Sequence, residues 1–340
     1  MTSPARDTGS TGTTAGRVLL LAAVLVAAVV FGVRLGAVGL STMDVLAAFV
    51  GRADATTSTI VVGLRLPRVA QAAITGAALA LSGATLQALF RNPLVDPYTL
   101  GVSGGASVGA VGAVAFGLSQ RFVLAVPIAA LVGSLVAVAL VLRLAHSSGR
   151  ALDTRVLLLA GVIVGSLCNA LVMLALSFAD VESFRSAIFW MMGSHSGASG
   201  SSVTALGLTL LVGGGAAFAL ARPLNALALG DRTAASLGVN VRGATWTAIL
   251  AAALLASACV AASGVIGFVG LVAPHLVRLR WGSDYRALLP LAALAGAILM
   301  VVADTLSRVA VAPTELPIGV VTALVGVPIF LHLLLRKAAA

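Results

Sequence analysis

The sequence predicts an all-α polytopic membrane protein of ten transmembrane helices, with two short cytosolic helices between spans six and seven. Three observations predict it. The 340 residues are 60% hydrophobic and 9% charged, where soluble domains carry about a quarter charged residues. Apolar runs of about 20 residues, the length that crosses the hydrocarbon, recur along the chain. One polar stretch bracketed by arginines, 222–242 (RPLNALALGDRTAASLGVNVR), interrupts them.

The opening residues 1–16 are polar and rich in Gly, Ser and Thr, and read as a disordered cytosolic tail. The apolar run after Arg17 is long for the core of a secretory signal, and many runs follow it, so it reads as a retained first span. Further spans are expected at 68–90, 99–117, 121–145, 154–177, 200–221, 243–263, 286–305 and 317–336, the first covering 17–35. A shorter apolar piece, 266–279, barely reaches across at about 1.5 Å rise per residue, and burial among other helices would hold it. Counting it gives an even number of spans, so both termini face one side. With that side cytosolic, about two thirds of the 21 Lys and Arg residues fall inside, as orientation by positive charge requires. The net charge of +10 therefore reads as topology and not as a nucleic-acid surface. Small residues four apart, such as Gly76 with Ala80 and Gly161 with Gly165, predict closely packed helices. Cys168 and Cys259 lie inside apolar runs without metal-ligand spacing and read as small core residues.

The single lysine, Lys337, closes the last apolar run, so the chain has no phosphate-gripping loop of the kind a lysine completes. If the chain does work, the force enters through a cytosolic docking surface, and 222–242 is the candidate. The acidic residues Asp44, Asp54, Asp180, Glu182, Asp304 and Glu315 fall at outer ends, and Asp7, Asp96, Asp153, Asp231 and Asp284 on the inner side. The mid-membrane relay of a gradient-driven carrier is therefore missing from the pattern. His275, after Pro274, reads as a hydrogen-bonded histidine near the cytosolic end of a Pro-broken helix in preference to a haem ligand. Arg65 and Arg68 (LRLPR) open the second span and Arg308 closes the ninth. They are either snorkelling interfacial arginines or a cationic rim for acidic residues of a delivery protein. The turn 90–101 (FRNPLVDPYTLG), with two prolines, is a sharp reversal that can serve as a gate. Within 222–242, Pro223 suits a first helical turn and Gly230 ends that helix. Asp231 is expected to cap a second one that Gly238 terminates. Such helices are either interfacial anchors or fill a partner's groove.

The segments LRLPR, GAALALSGATLQALFRNPLVDPYTLGVSGGASVG, RPLNALALGDRTAASLGV, GFVGLVAPHLVR and ELPIGVVTALVGVPIFLHLLL resemble the FecCD-type permeases, across roughly 17–337. These are membrane subunits of ABC importers for ferric siderophores, haem and cobalamin. The resemblance implies one permease domain over 17–337 in the cytoplasmic membrane, with both termini cytosolic. It also implies pairing with a second copy or a homologous permease, and a path along the two-fold axis. Two ATPase subunits would dock below, carrying ATP and Mg, with no cofactor on this chain, and an extracytoplasmic binding protein would dock above. On matching positions it implies ATPase coupling by the loop 222–240, at Arg222, Pro223, Leu227, Leu229, Gly230, Asp231, Leu237 and Gly238. It implies docking of the binding protein at Arg65, Arg68 and Arg308, and a cytosolic gate at Asn92, Asp153, Thr154 and Arg155. The fifth span and a short helix at about 183–192 would line the path. Ferric siderophore is the expected cargo, as the commonest of the class, with haem or cobalamin as alternatives. An ion-coupled secondary carrier is the alternative of another kind.

Overall fold

The computed structural model describes residues 13–36, 38–146 and 154–338, with side chains through 331. Every regular element among the described residues is helical. α1 (Thr14–Arg34) begins a little ahead of the apolar run, because the Thr13 hydroxyl accepts from the Gly16 N–H and caps it. α2 (Thr42–Phe49) follows, closed by a reciprocal capping box between Ser41 and Asp44. α3 (Ala55–Ser58) runs through a π-helical turn, Thr59–Arg65, into α4 (Leu66–Leu89), so the second helix starts well before the expected position 68. Pro67 explains the turn. A proline inside a helix has no N–H for the backbone ladder, and a widened π turn ahead of it absorbs the misfit.

After α4 the chain reverses at Arg91, which takes a left-handed conformation (φ 49°). It then re-enters the bundle instead of leaving it. Gln87 Nε2 donates to the carbonyls of Val95 (3.4 Å) and Gly270 (3.3 Å), and a 3-10 turn, Pro97–Leu100, packs Pro97 against Gly270. α5 (Val102–Ala115) therefore starts inside the bundle, where Gly101 lies close to Ala137, Val141 and Val164, and needs only 14 residues. α6 (Leu118–Arg121), α7 (Ala125–His146), α8 (Thr154–Ser177) and α9 (Val181–Met191) follow. α10 (Gly200–Thr209) and α11 (Gly215–Ala219) are joined by a second π turn, Leu210–Gly214, where successive glycines weaken the regular helix. α12 (Ala221–Ala228) and α13 (Asp231–Ser236) form the polar interruption. α14 (Val241–Ser263), α15 (Val269–Trp281), α16 (Tyr285–Val309) and α17 (Ile318–Ala338) complete the chain.

Against the ten expected spans, seven helices among the described residues are long and apolar enough to cross a membrane: Thr14–Arg34, Ala55–Leu89, Ala125–His146, Thr154–Ser177, Gly200–Ala219, Val241–Ser263 and Tyr285–Val309. Val102–Ala115 and Ile318–Leu331 are shorter apolar helices, and α15 has 13 residues. The core is built around α4, whose Leu79, Leu81 and Leu86 are fully buried. Small residues let its neighbours approach closely. Gly76 faces Gly296 of α16 and Gly83 faces Gly270 of α15, and a Cβ on any of them would overlap the opposing backbone. Ser82 donates to the Ala252 carbonyl (2.8 Å), tying α4 to α14 as a polar residue between membrane helices is expected to do.

Candidate functional site

Two groups of expected site residues lie at opposite ends of the bundle. At the end that carries the α4–α5 reversal, α12 turns Leu224 and Leu227 fully inward and leaves Arg222 exposed. Leu227 thus roots the helix in the bundle, whereas Leu229 and Leu237 stand open to the outside. Gly230 takes a positive φ (116°) that other residues avoid, and Gly238 (φ 81°) ends α13 in the left-handed region. The expected cap is corrected. Gly230, not Asp231, occupies the N-cap of α13, and Asp231 sits in the first turn, where its charge complements the helix dipole. Asp231 also reaches Arg91 at 3.7 Å, an exposed pair. Pro223 lies in the first turn of α12, as expected.

Asn225, in the middle of α12, makes the joint. Its Nδ2 donates to Asp284 Oδ1 (2.8 Å), and its Oδ1 accepts from the Tyr285 N–H (2.9 Å) at the start of α16. Hydrogen bonds from Arg286, then from Asn225, hold the Asp284 carboxyl down to about 2. The signal available in the sequence was weak, since the partner lies far along the chain. Of the expected gate, Asn92 accepts from the Leu94 N–H (3.0 Å) and shapes the reversal, and Thr154 and Arg155 open α8. Asp153 lies outside the described residues.

At the other end, Arg65, Arg68 and Arg308 converge with the carboxyl groups of Asp304 and Glu315. Arg65 donates through Nη1 to the carbonyls of Val33 (3.0 Å) and Arg34 (2.8 Å), and through Nη2 to that of Val38. Arg308 donates through Nη1 to the Leu35 carbonyl (2.7 Å) and through Nη2 to that of Gly32 (2.9 Å). Helices leave their last four carbonyls without partners, and here two arginines satisfy those of α1. Asp304, fully buried, accepts from Arg68 Nε (2.9 Å) and Arg308 Nε (3.0 Å). The buried His195 ring lies 3.5 Å from the same carboxylate. Arg68 extends its other two nitrogens, each at 2.9 Å, to the two oxygens of Glu315. A rim of bare cations is therefore not what the fold presents. Arg65 and Arg308 are 7% and 5% exposed, because helix-end carbonyls and a buried carboxylate engage them.

A polar tie lies one turn along α4 from Arg68. Gln71 donates to the Ala262 carbonyl (3.2 Å) and accepts from Ser202 (2.6 Å), joining α4 to α14 and α10. Among the described residues no group of three or more His, Cys, Asp or Glu is placed to hold a metal ion. His275 packs edge-on against Phe330 at 5.9 Å. On α8, Val162, Ile163, Leu167 and Met173 are uncovered, with Asn169 exposed among them.

Comparison with known proteins is consistent with this architecture. Residues 23–336 match the FecCD transport family. The chain is 44% identical over 277 residues to the hemin transport system permease protein HmuU of Yersinia pestis, covering 81% of this chain and 82% of that protein. It is 43% identical over 279 residues to the vitamin B12 import system permease protein BtuC of Salmonella paratyphi A, covering 81% and 83% respectively. Among solved structures it is similar to a metal-chelate type ABC transporter in an inward-facing conformation. The TM-score is 0.83 at 32% identity, over 95% of this chain and 100% of that one.

Proposed function

The chain belongs to the FecCD transport family, and we propose that it imports a bulky metal chelate, ferric siderophore first, across the cytoplasmic membrane. It is a membrane-embedded ABC transporter permease, a transport subunit. In the proposed assembly it pairs with a second copy or a homologous permease. Two ATPase subunits dock on the cytosolic side and hold ATP and Mg, and one binding protein docks outside. The observation that carries this reading is the likeness, over 95% of the chain, to a metal-chelate type ABC transporter.

Ten spans result when α5, α15 and α17 are counted with the seven long helices. Both termini, α12 and α13 are then cytosolic. Arg222, Pro223, Leu229, Gly230, Asp231, Leu237 and Gly238 form the face that receives the ATPases, while Leu227 and Asn225 transmit its movement to the bundle. The reversal at Asn92, with Asp153, Thr154 and Arg155, forms the cytosolic gate. The Arg65, Arg68 and Arg308 cluster receives the binding protein, Arg68 contributing the donors and the other two stiffening its base. The open face of α8 lines the path.

A second reading of the cargo, haem or cobalamin, is favoured by relatives that bear the names of hemin and vitamin B12 permeases. Proteoliposomes holding the permease, its ATPases and the binding protein should take up labelled ferric siderophore only with ATP. Uptake of haem or cobalamin without siderophore would transfer the cargo assignment. Uptake by the chain alone on an ion gradient would overturn the ABC reading in favour of a secondary carrier.

A further inference from the structure

We infer that Glu315 is an internal stand-in for a carboxylate of the docking protein, and that it must release Arg68 before that carboxylate can bind. The inference rests on the docking reading above. The two acids that hold Arg68 are not equivalent. Asp304 is fully buried, is shared with Arg308, and lies 3.5 Å from His195. Withdrawing it would leave the buried Arg308 guanidinium and the part-buried Arg68 without their shared carboxylate, which is costly. Glu315 sits on the connection between α16 and α17, and its side chain is 44% exposed. It can swing into water and be hydrated there at little cost.

The geometry of the contact is that of a recognition site already filled. Arg68 presents Nη1 and Nη2 to Glu315 Oε1 and Oε2 at 2.9 Å each, the paired arrangement in which a guanidinium holds one carboxylate. Its Nε is fixed from behind by Asp304, so the fork keeps its direction when Glu315 leaves. Leu316 donates to the Ser307 carbonyl (2.9 Å), which anchors the backbone while the Glu315 side chain moves. Charge points the same way. With Glu315 withdrawn, Arg68 and Arg308 share the single carboxylate Asp304, and the excess positive charge is expressed at the Arg68 fork, the part nearest solvent. A partner's Glu or Asp meets both needs, charge and two-pronged shape.

The test uses the full transporter in nanodiscs and the purified, ligand-free cognate binding protein, with association and dissociation followed at low and high salt. Glu315→Gln should tighten docking roughly three- to tenfold, mainly through faster association and with a steeper salt dependence. Glu315→Asp, which keeps the charge but is one methylene shorter and so reaches the Arg68 fork less fully from the same backbone position, should fall between it and wild type, and serves should the Gln variant melt early. Arg68→Lys keeps a charge against Asp304 but loses the fork, and should weaken docking. Unchanged or weaker docking by Glu315→Gln and Glu315→Asp, with Arg68→Lys weakened, overturns the stand-in and leaves docking at this end intact. Unchanged docking by Arg68→Lys removes the docking reading itself, and the stand-in with it.

Discussion

Gly32, Val33, Arg34 and Leu35 end α1 with carbonyls that lack helical partners, and Arg65 and Arg308 take them. The sequence marks these arginines as charges at helix ends. It does not mark their acceptors, because carbonyls have no sequence signature. His195 is still less legible, as its neighbour Asp304 comes from a helix far along the chain. Asp304 is the residue on which the cluster closes. Asp304→Asn keeps the shape but removes the charge that the buried Arg308 and the part-buried Arg68 share. It should cost about 3–5 kcal/mol, read as a lower unfolding midpoint in detergent, and a midpoint equal to wild type would show the cluster to be dispensable for stability. At the opposite end, Asp284 gives a pH prediction. Its carboxyl is held at about 2, below the ordinary value of 3.8, so its contribution is complete above 3.8 and lost as pH falls through about 2. Asn225→Ala removes one of the hydrogen bonds responsible, and should move that loss to higher pH in a titration of Asp284 followed by infrared spectroscopy. An unchanged titration would mean that Arg286 alone sets it.

α12 and α13 show what an element's sequence can and cannot reveal. Two short helices with a glycine joint were legible from Pro223, Gly230 and Gly238, because each of those residues has a backbone conformation it favours. The resemblance names Leu227 and Leu229 together as coupling residues, but the helix does not turn them the same way. Two residues apart on a helix are about 200° apart around its axis, so the pair cannot share a face. The structure buries Leu227 and exposes Leu229 and Leu237. The expected phenotypes therefore separate. Leu227→Asp places a charge in an apolar root and should destabilise the permease by several kcal/mol, roughly 3 or more. Leu229→Asp and Leu237→Asp should leave the melting profile within about 0.5 kcal/mol of wild type while reducing co-purification of the ATPase subunits. Equal retention of the ATPases by all three variants would remove α12 and α13 from the coupling surface.

The whole molecule turns on whether α15 crosses the membrane. Its 13 residues rise only about 20 Å, short of a hydrocarbon layer of about 30 Å. The remaining distance falls to the segment 264–268, whose backbone is not helical. Irregular backbone survives at membrane depth only when protein satisfies it. Here that condition is met. Ile266 is buried, its N–H donates to the Tyr98 hydroxyl (3.2 Å), and its carbonyl accepts from the same hydroxyl (3.0 Å). Tyr98 is delivered there by the re-entrant chain that Gln87 pins, so the short α5 and the short α15 complete each other. From the sequence alone, 266–279 was visible as a short apolar piece, but the tyrosine that makes it tenable was not, since its partner lies on a different loop. The consequence is a parity. If α15 crosses, positions before α14 and after α15 share one side, and the α16–α17 connection lies on the other. In a background with Cys168 and Cys259 replaced by Ala, single cysteines at Ser236 and Ser283 should react with an impermeant maleimide from the cytosolic face of oriented vesicles. Cysteines at Val123 and Val311 should react from the opposite face. Labelling of Ser236 and Ser283 from opposite faces would mean that α15 turns back inside the bundle and that the chain crosses fewer than ten times.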